Sequence, residues 1–73
     1  MYILNLYECD GRRYWPAGQY IFSTRKDAVS AMHQLTPPDH CAIVHDGDCI
    51  FAQQNIDASG AVRLRVGLRQ QQA

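Results

Sequence analysis

Seventy-three residues, 47% hydrophobic and 19% charged, make one globular domain at most and exclude a disordered chain. Seven basic residues balance seven acidic ones, so no net field draws the chain to nucleic acid or makes it an acidic mimic of one. A domain this small buries only about 60% of its unfolded surface, so a second copy or a bound partner is a natural source of further burial.

The opening, MYILNLYECD, has no basic region ahead of its apolar run, and the run is too short for a signal peptide. No segment approaches the roughly 18 apolar residues of a membrane span. Cys9, Cys41 and Cys49 are an odd count. The expectation is free thiols in a reducing cytoplasm, with no membrane partner.

Asp10-Gly11 signals the first turn, because Gly accepts the positive φ of a two-residue hairpin loop and Asp bonds the local backbone. Centring the hairpin there places Glu8 opposite Arg13, Tyr7 opposite Tyr14 and Leu6 opposite Trp15, each a favourable cross-strand pair. Pro16 cannot donate to a ladder, so the second strand is expected to bend near PAG and resume as QYIF. Trp15, as the largest apolar side chain, is expected in the core.

STRKDAVSAMHQLTPP reads as a helix. Thr24 and Asp27 resemble a capping box with Asp in place of Glu, and Ala28, Val29, Met32 and Leu35 recur at helical spacing. Pro37-Pro38 ends it. HCAIVHDGDCIFAQQ follows, two Ile- and Val-containing arms around a DG turn, and reads as a second hairpin.

The last segment, ASGAVRLRVGLR, alternates aliphatic and basic residues after a Ser59-Gly60 turn and reads as a fifth strand. Val62, Leu64, Val66 and Leu68 would face the core, with Arg63, Arg65 and Arg69 on the wet side. A polar tail frays from about residue 69. The expected fold is α+β: a small antiparallel sheet of about five strands in ββαβββ order, with one helix packed on one face, as a single domain over residues 1–73. One helix covers one sheet face only, yet Leu4, Leu6, Ile3 and Tyr7, like Ala42, Val44, Cys41 and Ile43, are apolar on both parities. Such strands are central, or something covers their second side, a homodimer partner being one candidate.

Chemistry-bearing clusters are few. His40, Cys41, His45 and Cys49 supply zinc-compatible ligand types, but their spacing matches no paired-cysteine or zinc-finger usage. Strand alternation also sends Cys41 and Cys49 to opposite faces of the hairpin. No metal and no cofactor is expected. Nothing resembles an oxyanion loop, a phosphate cradle or a catalytic motif, so no catalytic residue is named and the chain reads as non-enzymatic.

Two basic groups remain as candidate partner-binding residues. Arg12, Arg13, Tyr14 and Trp15 combine the side chains enriched at the energetic centres of interfaces. Arg63, Arg65 and Arg69 form a row on one strand face, spaced on the scale of phosphate steps, although charged edge strands also serve simply to discourage aggregation. The reading that follows is a protein-interaction module contacting a larger protein or ribonucleoprotein. In size and economy it resembles the small inhibitors with which phages and mobile elements block host machines, anti-CRISPR proteins among them. A small nucleic-acid-binding accessory protein using the arginine-lined strand is the alternative.

Overall fold

The structure, a computed structural model, describes residues 1–10 and 13–72, with side chains described as far as residue 65. Among these residues the chain forms β1 (Tyr2–Asp10), β2 (Arg13–Phe22), α1 (Arg25–Leu35), β3 (His40–Asp46), β4 (Cys49–Gln54) and α2 (Ala58–Gln72). The strands make one antiparallel sheet in the order β2-β1-β3-β4. The fold is α+β as expected, but with four strands and two helices. The expected fifth strand is α2.

That correction has a local cause. Asp57 caps the segment as a helix: its side-chain oxygen accepts from the Gly60 backbone N–H, and its carbonyl accepts from Ala61 N at 2.9 Å. This is N-cap chemistry, satisfying donors that the first helical turn leaves orphaned. Leu64 suits both periodicities, since it lies two residues from Val62 and three from Ala61. The helix buries Ala61 completely, half-buries Leu64 and leaves Val62 53% exposed. Burial of a small residue against the sheet replaces the aliphatic row of the expected strand. The arginine row is lost with it.

The two helices lie on opposite faces of the sheet. Even-numbered residues of the central strands, Leu4, Leu6, Ala42 and Val44, pack with Ala28 and Met32 of α1. Odd-numbered residues Tyr7, Cys41 and Ile43 pack with Ala61 of α2, with Ile50, Ile56 and Leu64 around them. The two-sided apolar character of these strands is explained by their central positions and by a cover the chain itself provides.

α1 begins as its sequence indicates, with Thr24 Oγ1 accepting from Asp27 N at 3.2 Å. It closes with the Thr36 hydroxyl donating to the Met32 carbonyl at 2.6 Å, immediately before Pro37. The β3–β4 hairpin pairs Asp46 with Cys49, and Gly47 takes the turn's positive φ of 57°. After β4, Asn55 adopts a φ of 61°. Its side chain donates to the carbonyls of His40 at 2.8 Å and Pro37 at 3.3 Å, tying the α1–β3 connection to the path towards α2.

The first hairpin differs in register from its expected pairing. Asp10 lies opposite Arg13, Cys9 opposite Tyr14, Glu8 opposite Trp15 and Tyr7 opposite Pro16. The slip is by two residues, so every side chain keeps its expected face while its cross-strand neighbour changes. A bulge between Leu6 and Tyr7 then absorbs an extra residue where Leu6 pairs with Gly18. The ladder is therefore irregular near Pro16, Ala17 and Gly18, as the missing proline donor requires. No helix among the described residues is long and apolar enough to cross a membrane.

Candidate functional site

β2 is an edge strand, paired on one side only, so its outer side presents unpaired backbone donors and acceptors. From Tyr14 to Phe22 it carries no charged residue. Tyr14, Trp15, Tyr20 and Ile21 are all exposed, Trp15 at 44% and Ile21 at 61%. Trp15 is therefore not a core residue: its position opposite Glu8 lies beyond the bulge, at the end of the sheet away from the buried run of β1. Alternation places Trp15 and Tyr20 on the α1 side of the sheet and Tyr14 and Ile21 on the α2 side. Aromatic and aliphatic surface flanks an open backbone edge on both sides.

Arg13 is exposed at the start of β2, opposite Asp10. Arg12 lies outside the described residues. Arg25, just past the other end of β2, stacks its guanidinium 5.2 Å from the Phe51 ring centroid, and Phe51 meets Tyr2 edge-on at 5.3 Å. This aromatic group anchors the start of α1 over β4 and β1.

Arg63 and Arg65 do not share a surface. Arg63 is exposed on α2, whereas Arg65 is half-buried and donates from Nη2 to the Gly47 carbonyl at 2.8 Å. The side chain of Arg69 lies outside the described residues. Helical geometry turns residues 63 and 65 roughly 200° apart, which no strand-based count anticipates. Arg65 does reach the acidic turn formed by Asp46, Gly47 and Asp48, through its central carbonyl. The β2 group and the α2 group sit towards opposite edges of the sheet, because α2 packs over β3 and β4.

A polar line not anticipated from sequence crosses the α2 face. Gln19 Nε2 donates to Asn5 Oδ1 at 3.1 Å, and Asn5 Nδ2 donates to His45 Nε2 at 2.8 Å. His45 is 4% exposed and donates from Nδ1 to the Gly47 carbonyl at 3.1 Å. Burial, and then the Arg65 guanidinium, hold its pKa below the ordinary value. The signal in the sequence is polar Asn5 in the otherwise apolar run of β1, with exposed Gln19 opposite it, legible only once the register is known.

The thiols divide by depth. Cys41 is fully buried beneath α2, and burial, followed by a side-chain hydrogen bond with Cys9, pushes its pKa up to about 12. Cys49 is exposed at the start of β4. No group of three or more potential metal ligands occurs among the described residues. Asp39, exposed beside His40, is held below the usual carboxylate range by the 2.9 Å contact with the imidazole.

No protein-family model, no curated protein and no solved structure matches this chain.

Proposed function

We propose that the chain is a non-enzymatic protein-interaction module that binds through β2. The carrying observation is the open edge of β2, uncharged from Tyr14 to Phe22 and lined by exposed Tyr14, Trp15, Tyr20 and Ile21. Soluble domains ordinarily blunt such an edge with charge. Here only Pro16 and the neighbouring bulge interrupt it. A strand from a larger protein can add to the edge by main-chain hydrogen bonds while Tyr14 and Trp15 enter pockets on either side, with Arg13 supplying charge-assisted contacts.

In this reading the chain acts by steric occlusion of a functional surface on its target, as a small phage or mobile-element inhibitor in a reducing cytoplasm would. A second copy of the chain is the other candidate strand donor. The nucleic-acid alternative is the weaker reading, since the arginine-lined strand it invoked is a helix whose Arg65 donates to the Gly47 carbonyl.

The test is capture of the target with the wild type, a Trp15→Ala variant and an Ile21→Lys variant, each with and without nuclease. Folding of the variants is checked by circular dichroism. The reading expects a stoichiometric protein that survives nuclease and binds Trp15→Ala about 30-fold more weakly, the scale of a hot-spot truncation. Retention unaffected by either folded variant, or lost with nuclease, overturns it.

A further inference from the structure

Gln19, Asn5, His45 and Arg65 come from β2, β1, β3 and α2, yet they and the Gly47 carbonyl form one hydrogen-bonded line across the face that α2 covers. His45 is its centre, and its two contacts define its state. Nε2 receives a proton from the Asn5 amide, so it carries none of its own; Nδ1 holds the ring's single proton and gives it to Gly47 O. The same carbonyl accepts from Arg65. Two donors share one acceptor, and one of them is already a cation.

We propose that His45 is a pH-sensitive latch: while neutral it shares the Gly47 carbonyl with Arg65 and lets α2 seat on the sheet, and on protonation its added charge repels Arg65 across that carbonyl and loosens the helix. Protonation at Nε2 removes the acceptor that Asn5 uses. Asn5 can turn its amide to offer Oδ1, because exposed Gln19 can turn with it, so β1 and β2 accommodate the change. Arg65 has no such freedom. A guanidinium cannot give up its proton, and an imidazolium on the shared carbonyl repels the half-buried Arg65 at short range. Movement of α2 relieves the conflict.

The other charged groups around His45 do not cancel it. Asp46, its neighbour on β3, favours the charged form, but Asp46 is exposed and lies 3.8 Å from the terminal ammonium of Met1. Asp48 belongs to the same turn. Tyr7 on β1 is itself held neutral by burial, with Arg65 acting the other way. From β4 the residue opposite His45 is Ile50, which offers no charge.

The direction of the pH effect follows by linkage. A histidine whose folded pKa lies below its unfolded value binds fewer protons folded than unfolded. Its stabilisation is complete above the ordinary histidine value of 6.5 and is lost as pH falls from there towards the depressed folded value. The latch therefore holds at neutral pH and slackens in mild acid.

Amide exchange of α2, corrected for intrinsic rates, tests this between about pH 7.5 and about pH 5, the range in which histidine titrates. In the wild type, protection of the α2 amides is expected to fall roughly fivefold, the equivalent of one net hydrogen bond, ahead of the α1 amides. His45→Gln keeps an acceptor for Asn5 but does not titrate, so its α2 protection stays level. In the wild type, ring NMR is expected to show the Nδ1–H tautomer at neutral pH and a midpoint below the ordinary histidine value. That measurement stands even where His45→Gln fails to fold. Level α2 protection in the wild type, the same fall in a folded His45→Gln, or a ring midpoint at or above the ordinary value each overturns the proposal.

Discussion

Asn55 shows how much one side chain can fix. Its positive φ turns the chain out of β4, and its amide holds two carbonyls of the α1–β3 connection at the same time. Asparagine tolerates the left-handed region better than residues with larger side chains. Asn55→Ala loses both bonds and keeps the backbone strain, at about 1.5 kcal/mol, whereas Asn55→Gly loses only the bonds and costs about 1 kcal/mol. Chemical denaturation of the two variants measures the difference, and equal losses would show that the backbone conformation carries no cost. Residue-level signals of this kind are only half legible in sequence. Thr24 and Asp27 announced their cap because a recognisable helix pattern followed them. Asn55 announced nothing, because its partners Pro37 and His40 are distant in sequence.

At the scale of elements, the segment 58–72 carries two compatible patterns, and the chain uses the one that is less conspicuous. Alternation of Val62, Leu64 and Val66 against Arg63 and Arg65 reads as a strand. A helix satisfies Leu64 equally well and adds the Asp57 cap and the seat for Ala61. Local alternation could not reveal that the sheet's second face needed a cover with a small residue at the contact. The elements whose pattern was unambiguous, α1 and the β3–β4 hairpin, were legible for the converse reason: their caps, turns and periodicities agree. The helix makes a distinguishing prediction. Val62→Ala is expected to raise stability by about 0.5 kcal/mol, since Ala is the better helix former at an exposed site. Asp57→Ala is expected to lower it by about 1 kcal/mol through loss of the cap. Thermal melts of both variants check this; a strand would lose stability on truncating Val62.

For the whole molecule, cover on both faces divides the three cysteines by access. Cys49 lies outside the layers, Cys9 is half-buried near the margin of α2, and Cys41 is sealed between sheet and helix with its thiol pushed up to about 12. Alkylation near pH 7.5 followed by mass spectrometry should therefore modify Cys49 in the native protein and Cys41 only when denaturant is added, because the thiolate is the reactive form. Rapid native labelling of Cys41 would mean that α2 does not cover the sheet. The strand order also carries a kinetic consequence. β1–β2 and β3–β4 are each local hairpins, able to close within about 1–10 μs. The seam between them pairs Ile3 with His45 and Glu8 with His40, across β2 and α1. Forming that seam requires closing the loop from Glu8 to His40, a cost met before its contacts repay it. Two quickly formed halves waiting on one slow join leave the inner edges of β1 and β3 open in the interval, so association between unfinished chains competes with folding at that seam.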